Sequence, residues 1–142
     1  MTWYDDLSEC DYFGRNSSAY LRAVGWLEHG KEYPTGKISK TVYDRLAELL
    51  KDPFQPLVAM GVYECDLCQF PEHTMGSANL FVPGNGLLYV CPELILHYIN
   101  AHWYKPPKEF CDAVLSCPLT HSMEYKKSFL KNGGRSLMTM KS

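Results

Sequence analysis

The chain has 142 residues, of which 46 % are apolar, 21 % charged and 13 % aromatic. This balance excludes a disordered or low-complexity chain, and the length fits one domain of ordinary size. The net charge of −2 is unevenly distributed, because all sixteen acidic and nine of the fourteen basic residues lie in 1–124, which carries −7, whereas 125–142 carries +5.

The N-terminal segment begins with acidic and aromatic residues, where a signal peptide would be basic, and no apolar run reaches the ~18 residues of a membrane span. We therefore expect a cytoplasmic protein. Residues 1–20 follow neither the helical nor the strand period, which indicates an irregular segment attached by its aromatic rings. Residues 21–27 alternate loosely before a stretch rich in glycine and proline, which predicts a strand.

The clearest helix signal lies at 40–51. Ser39 is a suitable N-cap, apolar residues recur at helical spacing, and Asp52-Pro53 ends the pattern. These features predict an amphipathic helix. The apolar run that follows predicts a buried strand at 57–64.

The second half combines a hairpin with helices. Apolar runs at 79–82 and 87–90 flank a connection at 83–86, whose Gly and Asn allow the positive φ angles of a tight turn. Prolines and helical spacing then predict three helices, at 92–102, 107–116 and 122–131. After Gly134 little apolar sequence remains, so we expect 1–134 to form a single zinc-binding domain and 135–142 to be a mobile basic tail.

Cys65, Cys68, His97 and His102 form the one pattern with a specific chemical interpretation. Two thiolates in a Cys-x2-Cys turn can hold one Zn²⁺, and two imidazoles on a later helix can complete a tetrahedron. Without a secretory signal, metal ligation accounts for six cysteines better than a disulfide framework does. The order of knuckle, hairpin and helix resembles a ββα zinc finger or a treble clef.

The spacing departs from that of the usual finger. Twenty-eight residues, 69–96, separate the second cysteine from the first histidine, instead of about twelve. The five-residue step from His97 to His102 places them about 140° apart around a straight helix, so we predict that the helix ends or loosens near Ala101. Four protein ligands favour a structural ion. A buried cysteine pair or a redox dithiol is the alternative interpretation of Cys-x2-Cys.

A catalytic site is the main functional alternative. It would need His102 near the metal but not bound to it, with one of three carboxylates as the general base: Glu64, Glu72 or Glu93. Glu72-His73 is also similar to the acid–histidine pair of ββα metal nucleases.

The remaining cysteines have weaker signals. Cys91 is placed to cap the helix at 92–102, where the helix N-terminus could activate a thiol, although a buried apolar role is the alternative. Cys117 and His121 are a weak candidate for a nucleophile–base pair. Otherwise the spacing predicts plain core or chance positions for Cys10, Cys111 and Cys117.

Short segments spread over residues 20–118 carry a family resemblance. They are Ala23–Glu28, Cys65–Cys68, Val82–Gly84, Tyr89–Pro92, His97–Ile99, Tyr104–Pro107 and Glu109–Cys111. In these segments the sequence resembles a family of small bacterial proteins of unknown function. The resemblance implies a small cytoplasmic bacterial protein in which Cys65, Cys68, His97 and His102 form the shared metal site, and it implies no activity.

We therefore predict an α+β fold with a small, mainly antiparallel sheet, about four helices and a zinc-finger-like site. The leading hypothesis for function is a Zn²⁺-stabilised module that binds another protein and is not an enzyme. The alternatives are a zinc-dependent hydrolase or nuclease, and a nucleic-acid-binding protein that uses its basic tail. Sequence-specific DNA reading is disfavoured, because the body is acidic and the helix at 92–102 offers only Asn100 to bases.

Overall fold

The structure, a computed structural model, describes residues 3–13, 19–55, 63–68, 75–135 and 137. Its elements in chain order are β1 (Leu21–Ala23), α1 (Lys40–Leu50), β2 (Tyr63–Glu64), β3 (Met75–Gly76), β4 (Asn79–Gly84), β5 (Leu87–Pro92), α2 (Ile95–His102), α3 (Lys108–Ser116), α4 (Met123–Phe129) and a π-type turn (Leu130–Gly134). The predicted α+β class is confirmed.

The β4–β5 hairpin is the centre of the sheet. Its strands pair antiparallel from Asn79 opposite Pro92 to Gly84 opposite Leu87. The two-residue turn has positive φ angles of 56° at Asn85 and 75° at Gly86, the conformation that Asn-Gly adopts most readily. The predicted hairpin is confirmed, and both strands extend two residues beyond the predicted ends.

The rest of the sheet differs from the prediction. β1 pairs in parallel with β5, which gives the strand order β1-β5-β4. It ends at Ala23 rather than at residue 27, because Gly25 turns the chain at φ 77°. The strand predicted at 57–64 is described only at 63–64, and there it pairs with β3 in a separate two-stranded sheet. Its placement in the main sheet was therefore wrong, and 57–62 lie outside the described residues.

The helices follow the predictions closely except at the start of α2. Ser39 caps α1 by accepting a hydrogen bond from the Val42 N–H at 3.2 Å. Pro92 does not open α2, because it still pairs with Asn79 in the hairpin, and the helix begins at Ile95. In the described part of the chain, no helix has the length and apolar character needed to cross a membrane.

The hydrophobic core lies between the sheet and the helices α1, α3 and α4. Two large polar side chains within it are paired: the Trp26 Nε1–H donates to the Val90 carbonyl at 3.0 Å, and the Tyr125 hydroxyl donates to the Phe81 carbonyl at 2.5 Å. The part of the N-terminal segment described at 3–13 has no helix or strand and packs by its rings, as predicted, with Tyr4 and Tyr12 against Trp26. Leu137, inside the predicted tail, is buried.

Candidate metal centre

Four side chains from two elements converge beside the sheet. Cys65 and Cys68 form a turn directly after β2, and His97 and His102 lie on α2. Cys65 Sγ lies 3.3 Å from His102 Nε2, and Cys68 Sγ lies 3.2 Å from His97 Nε2 and 3.6 Å from His102 Nε2. All four donor atoms lie within 4.8 Å of one another. The structure thus brings together all four sequence-predicted ligands.

The spacing of these donor atoms fits a single tetrahedral ion. Metal–sulfur bonds of ~2.3 Å and metal–nitrogen bonds of ~2.0–2.1 Å place sulfur and nitrogen about 3.5 Å apart across a tetrahedron. Three of the four sulfur–nitrogen distances, 3.2, 3.3 and 3.6 Å, bracket that value, and the remaining donor pairs lie within 4.8 Å. The four donors are therefore close enough to bind one metal ion.

The two histidines meet although they are five residues apart. α2 remains helical through Ala101 and ends at His102, and Trp103 follows in the left-handed conformation at φ 58°. The imidazole rings have centroids 5.0 Å apart and planes at 77° to each other. The predicted end of the helix near Ala101 is confirmed, since α2 ends at His102 and the chain turns at Trp103.

The protonation states of the two histidines suit a cation. Burial lowers the pKa of His97, and burial together with His97 lowers that of His102. Both imidazoles are therefore neutral at pH 7, the form in which they bind metals. Burial raises the pKa of Cys65 to about 11, whereas hydrogen bonds from the N–H groups of Leu67 and Cys68 act in the opposite direction. A bound cation would release protons from the thiols.

Hydrogen bonds hold both sides of the cluster in place. Asp66, between the two cysteines, accepts a hydrogen bond from the His29 N–H at 3.0 Å. Tyr33 donates its hydroxyl proton to the carbonyl of His102 at 3.0 Å. The Tyr98 hydroxyl is buried without a hydrogen-bond partner among the described residues, and burial, followed by its neighbour Cys65, raises its pKa. A polar but incompletely satisfied interior of this kind suits an ion site.

One edge of the cluster is open. A cleft of about 850 Å³ lies beside it, lined by His29, Tyr33, Asp66, Leu67, Cys68 and His102. Cys65 is fully buried, whereas Cys68 and His102 are partly exposed. The sequence did not predict this cleft. Asp66, the acidic residue inside the Cys-x2-Cys turn, lines the cleft and was the one local sequence feature that could have indicated it.

The two candidate general bases that the structure describes, Glu64 and Glu93, do not join the cluster. Glu64 is exposed on β2. Glu93 accepts hydrogen bonds through Oε1 from the N–H groups of Ser77 at 2.6 Å and Ala78 at 3.3 Å, so its carboxylate orders the β3–β4 connection. Glu72 and His73 lie outside the described residues.

The other cysteines have no arrangement for reaction. Cys91 is buried in β5 rather than at a helix N-terminus, and burial raises its pKa, so the hypothesis of an activated thiol is wrong. Burial raises the pKa of Cys117 to about 12, and His121 pairs with Asp52 at 3.1 Å. Burial also raises the pKa of Cys10 and Cys111. All six cysteines are free thiols.

Comparisons with known proteins give one family. A family model described as a domain of unknown function, DUF7919, matches residues 2–115. The matched range includes the four candidate ligands and every element from β1 to α2. Neither the curated proteins nor the solved structures include a significant match to this chain.

Proposed function

The chain belongs to the DUF7919 family of unknown function, and we propose that it is a protein-interaction module stabilised by a structural zinc ion. The observation that carries this proposal is the convergence of Cys65, Cys68, His97 and His102 within 4.8 Å of one another. In the part of the chain that the structure describes, no other group of such side chains is close enough to hold an ion.

The chemistry of the donor set favours zinc. Two sulfurs and two imidazole nitrogens in a tetrahedral arrangement suit a borderline-soft ion, whereas magnesium and calcium prefer oxygen ligands. Two thiolates and two neutral imidazoles would balance the charge of Zn²⁺. A neutral centre can lie half-buried without a further counter-charge, because it avoids the cost of burying a net charge.

The position of the site supports a structural role. Four protein donors complete a tetrahedral shell, and closed shells are typical of structural zinc. The ion would join the knuckle at 65–68 to α2, which are separated by some thirty residues. Strands β2 and β3 have two residues each, too few for a stable isolated sheet. We infer that ligation is the main stabilising interaction in this region.

Exposed apolar side chains support a binding role. Trp103 is 62 % exposed and Met123 is 60 % exposed, and large apolar groups at a surface are typical of interfaces. Within the described residues the cluster contains no carboxylate. A protein that presents apolar side chains from a metal-fixed scaffold fits these features better than an enzyme does.

Metal analysis of purified variants tests the proposal. The full-length protein is expected to contain one zinc per chain, and its Co²⁺ form should have the visible spectrum of tetrahedral S2N2 coordination. Cys65→Ser and His97→Ala should lose the metal. Cys111→Ser and His121→Ala, which change the same residue types outside the cluster, should retain it. Equal metal content in all four variants would contradict the assignment.

The cleft beside Cys68 and His102 favours a second candidate, a zinc-dependent hydrolase or nuclease. That activity needs an open coordination position next to the cleft. Adding azide to the Co²⁺ protein distinguishes the two functions. A structural site should keep its spectrum, whereas a catalytic site should change it as the anion binds.

A further inference from the structure

A groove with an apolar floor and a basic rim lies next to the metal centre, between α1 and α2. Its cavity of about 450 Å³ is lined by Ile38, Tyr43, Ile99 and Trp103 and, at the rim, by Lys37 and Lys40. A second cavity of about 350 Å³ shares Lys37 and Ile38 with the first and reaches Lys105, Lys108 and Leu115. The second cavity lies between α1 and α3 and adjoins the first at Lys37 and Ile38. We name the two adjoining cavities together the α1–α2 groove.

Trp103 is the most unusual residue of this groove. It caps α2 in the left-handed conformation, at φ 58°, a region in which bulky side chains are uncommon. Its side chain is nevertheless 62 % exposed, so the strained backbone gains no compensating burial. The conformation ends the helix, because the N–H groups of Trp103 and Tyr104 both donate to the Tyr98 carbonyl. The fold thus fixes this backbone and leaves the tryptophan side chain at the surface.

Hydrogen bonds from residues 33–36 hold Trp103 in position beside the candidate metal centre. Trp103 directly follows His102, and its carbonyl accepts a hydrogen bond from the Gly36 N–H at 3.0 Å. On the same wall, the Tyr33 hydroxyl donates to the His102 carbonyl at 3.0 Å, and the Lys105 N–H donates to the Pro34 carbonyl at 2.9 Å. The ligand, the tryptophan and the start of the groove wall thus form one hydrogen-bonded unit.

The charge of the groove contrasts with that of the body. Residues 1–124 carry −7, yet four of their nine basic residues surround this groove: Lys37, Lys40, Lys105 and Lys108. Asp44 and Asp112 are the acidic residues that line it, and Asp44 lies 4.0 Å from Lys40. A positive surface on the negative body formed by 1–124 attracts an acidic partner to this groove, whereas the surrounding acidic surface repels it.

We propose that the α1–α2 groove binds an acidic protein segment whose bulky apolar side chains pack against Trp103 and Ile99. The inference rests on the proposed function, because the zinc ion fixes His102 and thereby the position of Trp103. Tryptophans at the centre of an interface carry a large share of the binding energy, and the lysines set the charge preference.

The test uses a fluorescein-labelled amphipathic peptide with leucine and phenylalanine at helical spacing among aspartates and glutamates. Fluorescence anisotropy should detect its binding to the zinc-loaded full chain. A peptide with the same apolar residues among lysines should bind at least about tenfold more weakly. Trp103→Ala should weaken binding of the acidic peptide about tenfold or more, whereas Met123→Ala, which removes an equally exposed apolar side chain on α4, should not change it.

Charge reversal tests the lysine rim separately. The double variant Lys37→Glu/Lys40→Glu should weaken binding and reduce its dependence on salt. Lys126→Glu/Lys127→Glu changes the net charge by the same amount on exposed positions of α4 and should leave binding intact. Equal losses in the two variants would overturn the proposal, as would equal binding of the acidic and basic peptides. Absence of peptide binding, or Trp103-dependent binding of single-stranded DNA or phosphatidylserine vesicles instead, would overturn it too.

Metal content measured on the same samples separates the two proposals. Protein treated with a chelator should bind the acidic peptide about fivefold more weakly or worse, as expected for coupled sites. Purified protein without any bound metal would contradict the structural zinc site, whatever the peptide does. A zinc-loaded protein whose peptide affinity is unaffected by Trp103→Ala would contradict the groove alone.

Discussion

Two regions of the molecule are held together by different interactions. In the sheet region, β4 and β5 are almost completely buried and pack with α3 and α4. In the metal corner, which comprises the knuckle at 65–68 and α2, most of the side chains around the ligands are half-buried or exposed. We therefore expect apolar burial to stabilise the first region more than the second.

The helices differ in the same way. α1 and α4 have serine N-caps that accept backbone hydrogen bonds, from Val42 and Tyr125. α2 has no side-chain cap at its N-terminus, and it ends in a strained tryptophan. A helix of eight residues with these ends is not stable in isolation. We therefore expect α2 to depend on β5, which it follows directly, at one end and on metal ligation at the other.

Removing the metal should have the largest effect. Structural zinc contributes on the order of 10 kcal/mol in small zinc-finger domains, more than any single side chain here. We expect Cys65→Ser, or chelation of the wild type, to unfold the metal corner while the hairpin stays folded. Hydrogen exchange should then be fast for the amides of the knuckle and α2 and slow for those of β5. Equal protection of both regions from hydrogen exchange in the metal-free protein would contradict the view that only the metal corner depends on the ion.

A cavity in the sheet region should have the next largest effect. Leu46 on α1 is fully buried, and Leu→Ala at such positions costs about 2–5 kcal/mol. The loss should appear in urea unfolding as a lower midpoint with an unchanged slope. The folded variant should still bind one metal ion per chain. Loss of the metal from folded Leu46→Ala would mean that the two regions are coupled more tightly than their packing indicates.

The N-caps offer a smaller and more local test. Ser39→Ala should destabilise α1 by about 1 kcal/mol, because the Val42 N–H loses its acceptor. Ser122→Ala should have a similar effect at α4, where the serine accepts from the Tyr125 N–H at 3.1 Å. Thermal unfolding of both variants measures the change. Neither variant should alter metal affinity, since both caps lie outside the metal corner.

Local sequence patterns predicted much of the fold, but they did not predict the pairing of strands that are distant in the sequence. Ser39 and the helical spacing after it located α1, and Asn85-Gly86 located the hairpin, because caps and tight turns depend on neighbouring residues. The parallel pairing of β1 with β5 could not be predicted, since it joins segments about 65 residues apart. Pro92 was misassigned to α2 because proline also suits the end of a hairpin strand, where its missing N–H removes no pairing bond.

The functional residues divide in the same way into those that local sequence patterns predict and those that they do not. The spacing of Cys65, Cys68, His97 and His102 predicted their convergence, because metal ligands occur in recognisable patterns. The α1–α2 groove has no such pattern: its basic residues come from two segments that meet only in the folded chain. Trp103 carried no sequence signal, since its significance lies in its backbone conformation and exposure.

Asp6 joins the two regions and gives the smallest predicted effect. Its carboxylate accepts hydrogen bonds from the Gly25 N–H at 3.1 Å and from the Tyr104 hydroxyl at 2.8 Å, next to β1 and just after α2. Burial raises its pKa, although both hydrogen bonds lower it. The folded state therefore binds this proton more tightly than the unfolded state. The contribution of Asp6 to the free energy of unfolding should rise as the pH falls through its folded pKa towards the unfolded value of about 3.9.

Asp6→Asn isolates that contribution. The asparagine keeps an acceptor for one of the two donors but cannot titrate, so the wild type should gain stability relative to the variant when the pH is lowered from 7 towards 4. Urea unfolding of both proteins across this range gives the difference. Any loss of metal in acid affects both proteins alike and cancels. If the wild type instead loses stability relative to the variant as the pH falls, the pKa of Asp6 is lower in the folded state than in the unfolded state. In that case the hydrogen bonds from Gly25 and Tyr104 stabilise the charged form of the carboxylate more than burial disfavours it.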